Sequence, residues 1–395
     1  MTHHESEPTT PTAALELLIE HGFDGMAAAI ETLLNEAMKL ERSGFLGAGP
    51  FERTENRRGY ANGYKPKRIK SRLGQLELDI PKVRGLLDGS EPFYPAALER
   101  GERSERALKL AVAEMYVQGV STRKVTEITR ELCGLEVSSS QVSRAAKLLD
   151  EELEAWRTRP LGECPYLLLD ARYEKIRHGH HVVSCAVLYA VAVRPDGRRT
   201  ILGVSVSLSE AEVHWRDLLR GLVERGLHGI QMVTSDDHEG IKAALNAIFP
   251  GVPWQRCQFH LQQNAQAYVP HVAQRTEVGR DIRAIFNAPD RTEAERLLRK
   301  TVTKWRKSAP RLAEWMETNL SEGFTVFALP SSHRRRLRTT NVLERVNREL
   351  KRRTRVATLF PNESSLLRLI TAVLVEISED WVTADRAYLR MDPEN

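Results

Sequence analysis

Two long apolar segments joined by Pro195-Asp196-Gly197 constrain this chain more than any other feature. HVVSCAVLYAVAV, residues 181–193, is too continuously apolar to have one wet and one dry face, and reads as a strand buried on both sides. The Pro-Asp-Gly in RPDGRR presets φ, bonds its own backbone and permits a positive φ, so the chain turns back into TILGVSVSLS, residues 200–209, as a hairpin. YLLLD, residues 166–170, is a shorter buried run ending in a carboxylate.

The elements that follow set an order. SEAE, residues 209–212, has capping-box spacing and predicts an amphipathic helix to about Gly226. GIQMVTSDD reads as a strand ending in two aspartates, EGIKAALNAIF as a helix, and WQRCQFH as a further strand. Three strands with a hairpin, then helix, strand, helix, strand, is the order of a ribonuclease H-like sheet. Residues 261–330 show helical patterning and no strand run, and their length exceeds a loop, so they read as a helical insertion. Residues 339–390 return to helices.

Upstream, residues 13–42 carry Leu15, Leu17, Leu18, Ile30, Leu33 and Leu34 at helical spacing, interrupted near HGFDG. GQLELDIPKVRG alternates Leu76, Leu78 and Ile80 as a short strand, which predicts a small arm or ribbon. From 104 to 150 the pattern is three helices with breaks, Ser121 and the SSS at 138–140 standing at helix starts where a hydroxyl accepts unpaired N–H groups. STRKVTEITRELCGLEVSSSQVSRAAKLLD therefore reads as a helix-turn-helix, with a plain helical packing pair as the bland alternative.

Charge matters here through its clustering. Lys plus Arg exceed Asp plus Glu only by 58 to 53. Residues 53–72, however, hold eight cations and one acid, and residues 334–355 hold ten cations and two acids. Cys133, Cys164, Cys185 and Cys257 have no disulfide-framework spacing, the opening MTHHESEPTT lacks a secretory pattern, and no apolar run reaches membrane-spanning length. The expectation is a reduced, cytoplasmic protein that does not enter membranes.

Within the second basic zone, NVLERVNRELKRRTRV places Glu344 among six cations. On a helix, Leu343, Val346 and Leu350 form an apolar stripe while Glu344, Asn347, Arg348, Lys351 and Arg355 share another side. Asp170 and Asp236 close two predicted strands, and ligand sites on open α/β sheets lie beyond strand ends. Three carboxylates together repel by about 4 kcal/mol per close pair, and a divalent cation reverses that sign. Hard oxygen ligands suit Mg²⁺ or Mn²⁺, and a pair of such ions serves phosphoryl transfer. A carboxylate among cations is then a metal ligand lying where a phosphate backbone is gripped. The bland reading of KRRTR is a solvated helix face.

YLLLDARYEKIR, SDDHEGIKAAL, PWQRCQFHLQQN, TTNVLERVNRELKRRTR with LFPN, RRGYANGYKPKRIKSRLGQLELDIPKVR and YVQGVSTRKVTEITRELCG occur in this order from about residue 50 to 385. Together they resemble the Mutator-type transposases of bacterial insertion sequences. The resemblance implies an Asp-Asp-Glu triad on a ribonuclease H-like fold with a helical insertion before the Glu. It assigns the triad and the metal ligands, two Mg²⁺ or Mn²⁺ ions, to Asp170, Asp236 and Glu344. Asp237 competes with Asp236 for its place. Cys257 and His260 match a Cys-x-x-His signature and stand with Asn341 as supporting residues. The same pair is half of a zinc site, for which His178, His180 and His181 are the available partners; the bland reading of those three is a solvated hairpin edge. Trp254, Trp305 and Trp315 pack in the core or stack on unpaired bases.

The expected organisation is a mainly helical, basic DNA-binding region (1–100), a helix-turn-helix-like region (101–160), a ribonuclease H-like core (161–262), the helical insertion (263–332), and a C-terminal part of the core with the catalytic Glu (333–395). DNA contacts are expected from Arg58, Lys65, Lys67 and Arg68, from Arg123 and Arg144, and from Arg345, Arg348, Lys351, Arg352 and Arg355. Expected partners are double-stranded DNA, at element ends and target, and further copies of the chain in a homodimer or larger assembly on DNA, with nucleoid association when bound. The alternatives are a catalytically inactive DNA-binding regulator, which the intact acidic triad disfavours, and a ribonuclease H-like nuclease.

Overall fold

The first helical stretch breaks where its sequence does. Thr10–His21 and Met26–Leu46 are helices joined by the tight turn Gly22–Gly25. A Cβ on Gly25 would lie 2.4 Å from the Leu17 carbonyl oxygen, so only glycine permits that approach. The computed structural model describes residues 10–86, 92–98, 100–355 and 359–391. The start of the segment expected to lack a secretory signal, residues 1–9, lies outside them. The chain divides into two compact units, Met1–Leu148 and Leu149–Asn395.

In the first unit, β1 (Tyr60–Ser71) and β2 (Gly74–Arg84) form the expected ribbon, antiparallel from Tyr60↔Arg84 to Ser71↔Gly74. The alternation of Leu76, Leu78 and Ile80 turns all three inward against Met38 of the second helix, with each nearly fully buried. Such burial contributes roughly 1.5–3 kcal/mol per side chain. The Glu31 and Asn35 side chains accept from the Glu77 and Asp79 N–H groups at 2.7 and 2.8 Å, satisfying the open edge of β2. Three helices follow: Arg106–Val117, Thr122–Cys133 and Ser139–Ala146. Ser121 caps the second of these, and Ser138 forms a full capping box with Gln141 at the third.

The second unit is a five-stranded mixed sheet. β3 (Tyr166–His178), β4 (His181–Val193) and β5 (Arg199–Ser207) are antiparallel, β6 (Met232–Ser235) and β7 (Trp254–Arg256) run parallel to β3, and the order is β5-β4-β3-β6-β7. The apolar run 181–193 is β4 itself. The turn after it is the expected one, with Gly197 at φ 74° and a Cβ there only 2.0 Å from the Leu389 carbonyl oxygen.

Three local expectations change. β3 does not stop at Asp170: pairing continues through Ala171↔Leu188 to His178↔His181, because the long apolar β4 offers a partner to the polar residues beyond the carboxylate. Asp170 is thus a mid-strand residue. SEAE does not cap its helix, which begins at Glu212 after Ala211 with no side-chain cap. The preceding loop is instead packed against Gly240, where a Cβ would lie 2.4 Å from the Glu210 carbonyl oxygen. WQRCQFH is strand only over Trp254–Arg256; Cys257 then stands, without a side-chain cap, just before the helix Gln258–Ala265.

Helices Glu212–Glu224 and Glu239–Ile248 cover one sheet face, with Trp215, Leu219 and Ile241 against Leu167, Leu169, Ala186 and Leu188. Helices Asn341–Thr354 and Glu363–Thr383 lie on the other. Residues 261–330 hold no strand, and their helices Arg275–Phe286, Arg291–Trp305 and Pro310–Asn319 close around a separate core. Trp305 belongs to it, its Nε1 donating to Asp281 at 2.8 Å, and Trp315 packs at its margin, stacked on Tyr268. No helix among the described residues is long and apolar enough to cross a membrane.

Candidate active site on the sheet face

Strand period decides which residues reach this site. With Leu167 and Leu169 on the buried face of β3, Leu168, Asp170 and Arg172 point to the opposite face, toward helix Asn341–Thr354. Asp170 stands opposite Tyr189 of β4. The parallel pairing Leu168↔Thr234, continued two residues, brings Asp236 level with Asp170 just beyond the end of β6.

Asp170 is held by three donors. Its Oδ1 accepts from the Ala171 N–H at 2.8 Å, and its Oδ2 from Asn347 Nδ2 at 2.8 Å and Tyr189 Oη at 3.4 Å. Burial nevertheless pushes its carboxyl up to about 6, with the Asp236 charge adding to that push and the Ala171 N–H, His260 and Asn347 opposing it. Asp236 Oδ1 accepts from the Asp237 N–H at 2.8 Å and lies 3.6 Å from His260 Nδ1. Asp237 points elsewhere, to Lys242 at 2.6 Å and Arg256 at 2.9 Å.

Glu344 lies in the first turn of its helix, one turn before Asn347. The stripe expected from helical geometry is observed: Leu343, Val346 and Leu350 are fully buried, and the one proton of Tyr189 Oη is shared between Asp170 and the Leu343 carbonyl, 3.2 Å away. Glu344 Oε1 is buried with no protein partner. Arg172 and Glu174 of β3 fasten the same helix further along, through the Asn347 carbonyl at 2.6 Å and the Thr354 hydroxyl at 2.9 Å.

The Cys-x-x-His pair divides its work between two neighbours. The Thr340 N–H and hydroxyl both donate to Cys257 Sγ, at 3.3 and 3.2 Å, so the residue preceding the Glu344 helix spends its hydroxyl on sulfur and leaves the helix without a side-chain cap. Burial pushes the Cys257 thiol up, but the bond and charge of His260, with Thr340, outweigh it and leave the thiol below its ordinary value. His260 is raised to about 9, first by its bond to Cys257 and then by the charges of Cys257, Asp236 and Asp170, against burial. His178, His180 and His181 are an exposed hairpin end, with His178 3.5 Å from Glu363. Among the described residues, no three His, Cys, Asp or Glu side chains are gathered at metal-binding spacing.

The expected DNA-contacting cations fall into two sets. In the second unit, Arg345, Arg348, Lys351, Arg352 and Arg355 are exposed on the Glu344 helix and its end, Arg352 paired with Glu349. In the first unit, Lys65, Arg123 and Arg144 are exposed, Arg58 lies over the Phe45 ring, Lys67 donates to Tyr94 Oη at 2.8 Å, and Arg68 pairs with Glu77 at 2.8 Å. Asn341 is exposed at the start of the Glu344 helix. The contacts that Cys257 and Asp170 make run instead through Thr340, Tyr189 and Asn347. Of these, sequence marked only Asn347, by its helical side; Tyr189 is a polar group inside an apolar strand, and a buried phenol needs a partner.

Known proteins resemble this chain over nearly all of its length. The family described as "Transposase, Mutator family" matches residues 4–384. The transposase for insertion sequence element IS406 of Burkholderia multivorans is 56% identical over 383 residues, covering 96% of this chain and 97% of its own. The transposase for ISRM5 of Rhizobium meliloti is 42% identical, covering 98% and 96%, and that for IS256 in transposon Tn4001 of Staphylococcus aureus is 35% identical, covering 97% and 98%. Matches of this extent and identity make it a member of the Mutator family of transposases.

Proposed function

We infer that this transposase binds the terminal inverted repeats of an insertion sequence and carries out metal-dependent strand cleavage and strand transfer. In this reading the second unit is a ribonuclease H-like core interrupted by a helical insertion, and the triad is Asp170, Asp236 and Glu344. One observation carries it: a mid-strand Asp feels the charge of an Asp just past the neighbouring strand and is gripped by an Asn one helical turn from the Glu. The pairing of Asp237 with Lys242 and Arg256 favours Asp236 as the second acid.

The donor set fits a hard divalent cation. Glu344 Oε1 is a buried carboxylate oxygen without a protein partner, and Asp170 is a carboxyl disfavoured as an anion by its surroundings; a cation relieves both. Asp170, Asp236 and Glu344 would hold Mg²⁺ or Mn²⁺, two ions in the full site, and these supply Lewis acidity at the phosphate and a more acidic water.

The chain's own residues do the positioning. Asn347 and the Ala171 N–H orient Asp170. His260, protonated at neutral pH, places a positive charge beside Asp236. Cys257 anchors the start of the Glu344 helix through Thr340. Arg345, Arg348, Lys351, Arg352 and Arg355 border the site with charge of the sign that holds a phosphate backbone. Water attacks a phosphodiester at the element end and the P–O3′ bond breaks, the leaving oxygen taking up a proton; the freed 3′-hydroxyl then attacks a second phosphodiester and displaces that strand's 3′ oxygen, which is protonated in turn, so no covalent protein–DNA bond is needed. The ribbon carrying Arg58, Lys65, Lys67 and Arg68 grips backbone, and the helix-turn-helix carrying Arg123 and Arg144 reads the repeat. Joining two ends requires a homodimer or larger assembly on DNA.

The test is incubation with Mg²⁺ and a labelled duplex carrying the element end. Asp170→Ala and Glu344→Gln should each keep end binding and lose cleavage, and normal cutting by Glu344→Gln would overturn the assignment.

A further inference from the structure

A buried guanidinium costs several kcal/mol unless it is paired, so where a fold keeps one, the partners of its two terminal nitrogens show what it ties together. Arg256 closes β7 with its side chain 3% exposed. Its Nη2 lies 2.9 Å from Asp237 Oδ2, and its Nη1 lies 2.7 Å from Glu322 Oε2 and 3.1 Å from Asn319 Oδ1. Asn319 ends the last long helix of the insertion, and Glu322 belongs to the short turn Leu320–Gly323 that follows it. The same strand, at two points, and the helix after it, at one, are stitched to this segment as well. Gln255 Oε1 accepts the Val326 N–H at 2.7 Å, the Thr325 hydroxyl donates to the Trp254 carbonyl at 2.6 Å, and Gln258 Nε2 donates to the Gly323 carbonyl at 2.8 Å.

The other end of this chain of contacts is Asp236. Asp237 is fixed by Arg256 and Lys242, and its backbone N–H is the donor that holds Asp236 Oδ1 at 2.8 Å. Where the insertion ends therefore bears on how the Asp236 carboxylate is turned, through Glu322, Arg256 and the Asp237 amide.

We propose that Arg256 is a positioning residue for Asp236, and that Glu322 makes the helical insertion a part of the metal-binding apparatus rather than a separate appendage. This rests on the reading of Asp236 as a metal ligand. Asp237, next to it in sequence, serves as the handle by which Asp236 is oriented. The group bonded to the ligand rather than to the ion is the Asp237 amide; loss of such a partner typically changes metal affinity 10- to 100-fold, and Arg256 and Glu322 act through it.

The experiment measures Mn²⁺ binding to the full chain by electron paramagnetic resonance, without DNA, for wild type, Asp236→Asn, Arg256→Lys and Glu322→Gln, with thermal melting and end-DNA binding alongside. Glu322→Gln keeps the shape and one hydrogen-bonding oxygen, so it reads the link even where Arg256→Lys fails to fold. The expected result is Mn²⁺ affinity lowered about 10-fold or more in Glu322→Gln and Arg256→Lys, with end binding retained. Loss of Mn²⁺ binding in Asp236→Asn with unchanged affinity in folded Glu322→Gln would overturn the proposal alone. Unchanged affinity in Asp236→Asn would instead remove the metal-ligand reading on which it stands.

Discussion

Replacing Asp170 by Asn should make the metal-free protein more stable. Loss of solvent around the half-buried Asp170 pushes its carboxyl up to about 6 from an ordinary 3.8. Between those values the folded state binds more protons than the unfolded state, so stability falls as pH rises through the window and the full cost persists above it. That gap corresponds to about 3 kcal/mol at neutral pH. A neutral amide escapes this cost without losing its neighbours: Asn347 Oδ1 is buried and unpartnered, so its amide can turn over to accept where it now donates. All six tryptophans follow residue 149, so urea unfolding in EDTA followed by tryptophan fluorescence reports on the unit that contains the site. The expected gain for Asp170→Asn is up to about 3 kcal/mol near pH 7.5, shrinking to nothing near pH 4. A variant no more stable than wild type at pH 7.5, or equally stabilised at both, would refute the claim that burial strains this carboxylate.

Other perturbations separate the roles assigned above. Arg348→Ala and Lys351→Ala should weaken binding to end and random DNA alike and each reduce the slope of log affinity against log salt by about one; fluorescence anisotropy over a salt series measures it. Arg144→Ala should lower the preference for the end sequence, whereas Lys65→Ala should lower affinity for all sequences similarly, as competition gel shifts would show. Thr340→Val removes the hydroxyl that bonds Cys257 Sγ but keeps the backbone donor, so a loss of roughly 0.5–1.5 kcal/mol in unfolding free energy is expected, with cleavage falling further than stability because the Glu344 helix starts there.

Much of this structure was legible because local chemistry and packing agreed. The 181–193 run became β4 residue for residue, the Pro-Asp-Gly turn formed, and Leu343, Val346 and Leu350 went inside as their spacing required. The helical patterning of 261–330 appears as helices around their own core. What failed depended on distant partners. The reach of β3 past Asp170 is set by the length of β4, which a reading of ARYEKIRH alone does not contain. SEAE has the right letters for a cap, yet the approach to Gly240 moves the helix start to Glu212. The contacts of Tyr189, Thr340 and Arg256 join residues scores of positions apart, so no periodicity or spacing announces them. Asp236 and Asp237 look alike in sequence and part only in space, where one meets His260 and the other meets Lys242 and Arg256.

The most direct measurement is a crystal structure of the protein bound to element-end DNA with Ca²⁺, which occupies such sites without supporting cleavage. The expected density is one or two ions against the carboxylates of Asp170, Asp236 and Glu344, with the end phosphate between them and the Arg348 side of the helix. Ions bound elsewhere, or Glu344 turned away from both aspartates with the DNA in place, would contradict the shared acidic site.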